Sequence, residues 1–366
     1  MAADHDVAIV GGGPVGLLLA CLLAQQGVDV IVAERRGTPG ETSRAIGILP
    51  PGLRALDAAG IGAAVRGEAL AIGRGVAVAG GRALAALPLA DVLTLGQVRL
   101  EALLRARLAS LRPTALQPGT TVRDVDHRGG RVRLRTDRGE TSARIAAAAD
   151  GVRSGIRSQL GIAWRRRPGG GQYLMADGTD RGELGADALL CCAAGGIVES
   201  FPMPGRRRRW VALVAPGTPA DPARLAAIVR SRTGLEPDLR GAAASTFAAR
   251  QHGAAALAAG RIVLAGDAAH EVSPIGGQGM NLGLMGAERL APAILDALAV
   301  GRPDFAEYER AQSRAARAAQ ARARFNMAMG RALPQPARGA RDLAARALGT
   351  PVLRGAALRA FTMHGL

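Results

Sequence analysis

At 366 residues the chain has room for about two domains, and with 48% hydrophobic residues it can bury a sizeable core, which excludes intrinsic disorder. The formal net charge is +17, yet all 47 basic residues are arginine and lysine is absent. That pattern, with abundant alanine and glycine, looks like the composition bias of a GC-rich genome, so charge alone predicts no nucleic-acid partner.

The cysteines Cys21, Cys191 and Cys192 show no C-x-x-C spacing, so a reduced, cytoplasmic protein without a metal site is expected. The N-terminus is acidic, and the apolar stretch behind it is broken by Gly11, Gly12, Gly13, Pro14 and Gly16. Neither a signal peptide nor a membrane span is expected there.

In chain order, Asp6 to Val10 reads as a buried parallel strand and Pro14 to Gln26 as a helix stopped at Gly27. Val28 to Ala33 reads as a second strand closed by Glu34. A helix is predicted over Pro51 to Ala59, a hairpin over Gly75 to Leu89 around Gly80-Gly81, and a helix over Gln97 to Leu111. Strands are predicted over Thr121–His127, Arg131–Thr136 and Ala143–Ala149, the last against the helical propensity of its alanines. The middle, from about Gly161 to Gly260, carries few periodic signals beyond a strand pair within Ser200–Val214 and an amphipathic helix over Asp221–Arg232. Arg261 to Ala265 reads as a buried strand leading through a glycine-rich loop to a helix over Met280–Leu298. The remainder is mostly helical.

Two constellations carry chemistry. Gly11-x-Gly13-x-x-Gly16 lies between strand and helix, with Glu34 about 20 residues on. Gly11 permits the tight turn, Gly13 admits a pyrophosphate to the backbone, Gly16 allows close helix–strand packing, and Glu34 is placed for a ribose. This unit alone does not separate NAD from FAD. The second runs from Gly266-Asp267 through His270 to Pro274, Gly276, Gly277, Gly279, Met280 and Asn281. Asp267 suits a polyol such as ribityl, and amides at the following helix start suit negative charge on a reduced flavin ring.

With Asp150-Gly151, Arg153-Ser154 and Arg157 between them, these motifs in this order resemble the class A flavoprotein monooxygenases, the para-hydroxybenzoate hydroxylase family. Most of the chain except the middle takes part in the resemblance. It implies an α/β fold with a Rossmann-like FAD-binding domain (1–72, 97–160 and 257–330). A mainly β substrate domain (73–96 and 161–256) would interrupt it, with a helical C-terminal segment (331–366). It also implies cofactor contacts at Gly11, Gly13, Pro14, Val15, Gly16, Glu34 and Arg35. Further contacts are implied at Arg44 (within Ser43-Arg44-Ala45-Ile46-Gly47), Gln97, Val122, Asp150 and Gly151, and in the second block at Gly266, Asp267, Pro274, Gly276, Gly277, Gly279, Met280 and Asn281.

The implied reaction uses NADH or NADPH, O2 and a flavin C4a-hydroperoxide to oxygenate an aromatic or polycyclic small molecule, in a monomer or homodimer. A dehydrogenase or reductase on the same scaffold, or a non-catalytic nucleotide-binding protein, are the alternatives. Gly286 and Ser273 depart from the family pattern, where an acid and a proline are frequent, and the lysine of the flavin-dependent halogenases is missing. No catalytic side chain emerges. His270 reads as a structural residue of the flavin loop, Arg206–Arg209 as a solvated turn, and Tyr173, Trp210 and Phe247 as core.

Overall fold

The structure is a computed structural model that describes residues 3–38, 40 and 45–366. Its organising layer is a sheet whose central strands are parallel, in the order Ile262–Leu264, Gly139–Ala148, Ala3–Val10, Val30–Glu34 and Leu116–Pro118. Val7 pairs with Ile145 on one side and Val30 on the other, and Val7 to Val10 are all buried. A short uninterrupted apolar run is what a strand covered on both faces requires.

The helix Pro14–Ala24 packs on this sheet, with Leu17 to Cys21 fully buried. No aromatic residue precedes Trp164, so this core is built from aliphatic side chains until Phe305 and Tyr308 reach it from the C-terminal helices. Packing is closest at glycines. A Cβ on Gly16 would stand 2.0 Å from the Gly11 carbonyl oxygen, and one on Gly11 would stand 2.3 Å from that of Ala149.

The second large sheet has seven strands, ordered Ala244–Ala249, Gly171–Thr179, Arg207–Val214, Gly196–Met203, Ala188–Ala193, Arg74–Ala79 and Arg82–Pro88. The predicted hairpin therefore joins it, through a parallel pairing of Ala188–Cys191 with Gly75–Val78. The chain ends in the helices Gln278–Val300, Ala306–Met329, Ala337–Gly349 and Pro351–Phe361. No helix among the described residues is long and apolar enough to cross a membrane.

Several expectations need correction. The middle of the chain is rich in strands that periodicity does not reveal, because Gly171–Thr179, Ala188–Ala193 and Gly196–Met203 are buried on both faces or nearly so. Arg206–Arg209 is not a solvated turn. Only Arg206 is in the turn, at φ 55°, whereas Arg208 and Arg209 are 2% and 4% exposed on the strand. Arg208 Nε donates to Asp180 at 3.0 Å, and Arg209 Nε and Nη2 donate to Asp177 at 2.6 and 2.7 Å. The last of the three predicted strands begins earlier than expected, at Gly139.

Because the Gly11 carbonyl leaves no room beside Gly16, Gly16→Ala should lower stability by about 1–3 kcal/mol, as overpacking does. Gly13→Ala, whose added Cβ meets nothing within 4 Å, should fold almost as the parent does. Thermal melts of the two purified variants check the contrast, and equal midpoints would refute it.

Candidate functional site

The first half of the site is the end of the strand Ala3–Val10. The chain turns at Gly11 with φ 111°, a conformation open to glycine, and enters the helix at Gly13, whose N-terminus has no side-chain cap. Uncapped first-turn amides and the helix dipole favour an anion there. Glu34, 5% exposed at the end of the second strand, folds back over the turn. Its Oε2 accepts from the Gly12 amide at 2.6 Å, and its Oε1 from the Arg36 amide and Nε at 2.8 and 3.0 Å. Burial alone would push the Glu34 carboxyl up, but the hydrogen bonds from Arg36 and Gly12 prevail and hold it below the usual carboxylate range.

The second half follows the strand Ile262–Leu264. Gly266 at φ 60° opens a short turn through Asp267 and Ala268, and the loop re-enters a helix through Gly276 and Gly277, at φ 92° and 67°. The helix Gln278–Val300 also starts without a side-chain cap. Arg157 joins this block to the Asp150-Gly151 turn. It is 5% exposed, donates to the Ala268 and Val152 carbonyls at 3.0 Å each, and lies 3.8 Å above the Trp164 ring. Desolvation lowers its pKa.

One cavity of about 1110 Å³ runs between these halves. Gly11, Gly13, Pro14, Val15, Glu34 and Arg35 line one stretch of it, and Gln97, Val122, Asp150 and Gly151 another. Gly266, Asp267, Pro274, Gly276, Gly277, Gly279 and Met280 line a third. Ala45, Ile46 and Gly47 contribute as well, whereas Ser43 and Arg44 lie outside the described residues.

Two expected contacts do other work. Gly16 faces the Gly11 backbone, not the cavity. Asn281 is fully buried: its Oδ1 accepts from the Leu49 amide at 2.9 Å, and its Nδ2 donates to the Gly47 and Gly277 carbonyls at 3.0 and 2.9 Å. It braces the loop from behind.

The cavity fits a dinucleotide on structural grounds. Bare backbone faces it at Gly13, and two lining residues, Asp150 and Gln278, each keep a buried oxygen without a partner among the described residues. Such atoms are costly unless something pairs with them.

Sequence reasoning missed the rest of the lining. Glu101, which accepts from Gln97 Nε2 at 2.8 Å, stands beside the first half. One face of the seven-stranded sheet closes the far end, through Met175, Ile197, Glu199, Phe201 and Val211, and Phe247 joins it. Phe247 stacks on the buried Tyr173 with centroids 5.5 Å apart, while Trp210 belongs to the core on the opposite face. The available signal was a lone acid inside the apolar run Ile197 to Phe201, which the predicted strand boundary at Ser200 cut off.

Comparison with known proteins agrees with this geometry. The family model "FAD binding domain" matches residues 4–325, and the chain belongs to that family. It is 34% identical to the 6-methylpretetramide 4-monooxygenase of Streptomyces rimosus over 81% of this chain and 56% of that protein. It is 29% identical to the para-nitrophenol 4-monooxygenase of Pseudomonas sp. strain WBC-3, over 81% of this chain and 79% of that protein. The chain thus spans little more than half the length of the first of these relatives. Among solved structures, a p-nitrophenol 4-monooxygenase from Pseudomonas putida superposes with TM-score 0.89 at 25% identity, covering 100% of this chain and 99% of that one. An anhydrotetracycline hydroxylase from Streptomyces rimosus gives 0.81 at 25% identity, covering 99% and 76%. The α/β architecture and the resemblance to FAD-dependent aromatic monooxygenases both stand, and the cofactor of the family is FAD.

Burial moves His270 and Glu199 in opposite directions. His270 is 2% exposed, outside the lining, with Nε2 2.7 Å from the Gln312 amide nitrogen, and burial pushes it down to about 4. Glu199 is in the lining, 4% exposed, and burial pushes its carboxyl from 4.5 up to about 7. The folded chain therefore holds the Glu199 proton more tightly than the unfolded chain does. That stabilisation is complete below about pH 4.5 and is lost as pH rises through about 7. Glu199→Gln, which cannot titrate, should gain on the parent between pH 5 and pH 8, by roughly 3 kcal/mol at about 1.4 kcal/mol per unit. Denaturant melts of both proteins across that range test it, and a stability difference independent of pH would contradict it.

Proposed function

We propose that this chain is an FAD-dependent monooxygenase that oxygenates an aromatic or polycyclic small molecule, with NADH or NADPH as reductant. The observation that carries this reading is the single cavity, bounded at one end by the dinucleotide motifs and at the other by an apolar sheet face. Bound FAD would supply the redox chemistry, drawing electrons from the nicotinamide and activating O2. The chain's own residues would bind, orient and shield.

Gly13 and the uncapped amides of the helix Pro14–Ala24 would hold the pyrophosphate, and Glu34 the ribose. Asp267 would take the ribityl chain, and the amides at the start of Gln278–Val300 would favour negative charge at the ring. Ile197, Phe201 and Val211 would exclude water and present apolar surface to the substrate. The relatives named as monooxygenases of para-nitrophenol, 6-methylpretetramide and anhydrotetracycline support a phenolic or polycyclic substrate class.

The purified protein should be yellow, with one FAD per chain, and colourless protein that fails to take up added FAD would end this reading. Glu34→Ala should weaken FAD binding roughly ten- to hundredfold, the worth of hydrogen bonds to a charged group. Titration of the apoprotein measures this, and unchanged affinity would remove Glu34 from the site. Substrate-triggered oxidation of NADH or NADPH, screened over phenols and polycyclic aromatics, tests the reaction itself.

A further inference from the structure

Among the strand residues of the seven-stranded sheet that line the cavity, two are charged. Arg209 is one of them, and Asp177 on the neighbouring strand engages it through two hydrogen bonds of 2.6 and 2.7 Å. Glu199 is the other. Directly across from it stand Val211 on one neighbouring strand and Leu190 on the other, and its same-face neighbours along its own strand are Ile197 and Phe201. All four line the cavity.

Glu199 makes no side-chain hydrogen bond or ion pair among the described residues, although it is 4% exposed. Arg250 and Arg322 also line the cavity, and neither forms an ion pair with it among the described residues. A buried carboxyl without a partner is expensive to keep in an apolar wall. Such a group inside a ligand cavity is explained most directly by a ligand that completes it.

Its position relative to the flavin loop is also informative. Ile197 packs in one cluster with Ile275, which lies between Pro274 and Gly276 of that loop. Glu199 is two residues further along the same face, about 7 Å at strand spacing. A ring lying between loop and sheet would therefore have both the loop and this carboxyl within reach.

Resting on the monooxygenase reading, we propose that Glu199 is the substrate-recognising acid–base residue and that the substrate bears a hydroxyl on its aromatic ring. The carboxylate accepts the hydrogen bond of that hydroxyl and then its proton. The O–H bond breaks, the proton passes to a Glu199 oxygen, and the electron pair stays on the substrate oxygen, enriching the ring toward the oxygen atom delivered from O2. Once the ring carbon has lost its hydrogen as a proton to solvent, Glu199 returns its proton to the substrate oxygen and is regenerated.

The test uses FAD-loaded protein and matched probes: 4-nitrophenol with 4-nitroanisole, 1-naphthol with 1-methoxynaphthalene, and 1-hydroxyanthraquinone with its methyl ether. Binding is read from perturbation of the flavin spectrum. At least one phenol should bind roughly ten- to hundredfold more tightly than its ether, and Glu199→Gln should reduce that preference to within about threefold while leaving ether affinity and FAD content unchanged. Glu199→Asp, which keeps the charge but shortens the reach, should retain part of the preference. It also serves as the second variant should Glu199→Gln lose its flavin.

An undiminished preference in Glu199→Gln, or a wild-type protein that binds no phenol better than its ether, would overturn the proposal. Oxygenation of the ethers without any phenol preference would leave the monooxygenase reading standing and end this one. Phenol selectivity that depends on Glu199 in a flavin-loaded protein that never oxygenates would do the reverse.

Discussion

Everything in the site depends on how closely three backbone segments approach one another behind it. The Gly16 Cα stands against the Gly11 carbonyl, and the Gly11 Cα against that of Ala149, with no side chain between them. The strand Ala3–Val10, the helix Pro14–Ala24 and the strand Gly139–Ala148 therefore converge at one point. The helix Gln278–Val300 joins them at Gly283, where a Cβ would meet Val15 Cγ2 at 2.6 Å. Because these elements meet without intervening side chains, the uncapped helix start, the Asp150-Gly151 turn and the Gly266-Asp267 block all border one cavity. Bulk at this junction would separate the two half-sites and so disturb packing and binding together.

Two buried polar side chains then fix the loops around that junction. Asn281 satisfies the Leu49 amide and the Gly47 and Gly277 carbonyls at once, tying a cavity-lining segment near the N-terminus to the glycine-rich loop that precedes the helix Gln278–Val300. Arg157 similarly spans the Val152 and Ala268 carbonyls while stacking on Trp164, which in turn stacks on His252. Fully partnered buried groups of this kind specify one arrangement, since breaking any bond strands a donor or acceptor in low dielectric. The motif residues thus divide into those that face the cavity and those that hold the facing residues in place. Sequence position alone does not separate the classes: Met280 lines the cavity and its neighbour Asn281 does not.

Much of this was legible in the sequence where local chemistry and tertiary role coincide. Pro14 inside a helix start, Gly27 beyond its end and the hydrophobic run before Gly11 mark the first strand–helix–strand unit within two or three residues. The alanine-rich strand ending at Ala148 was recoverable only by letting context override helical propensity, because burial between two parallel neighbours decides its conformation. The middle of the chain was the least readable. Leu189, Cys191 and Cys192 are buried on both sides of their strand, which erases the alternation that identifies a half-exposed one. The same loss hid Glu199, since an acid in a short apolar run carries no mark of the cavity it faces.

The arginine content has a structural side that net charge conceals. Arg144 donates to the Leu298 carbonyl, Arg232 to that of Leu213 at 2.7 Å, and Arg341 to that of Cys192 at 2.7 Å. Arg208, 2% exposed, meets the Gly185 and Asp187 carbonyls as well as Asp180. A planar guanidinium with five donors can satisfy several carbonyls while its stem packs against apolar neighbours, whereas an ammonium is a compact, strongly hydrated point charge. A chain without lysine can therefore draw on its basic residues as internal struts, and it does so where strands and helices expose carbonyls to one another. The formal charge of +17 is consequently a poor map of the surface, because part of it is spent inside, on backbone oxygens and on the acids Asp177 and Asp180.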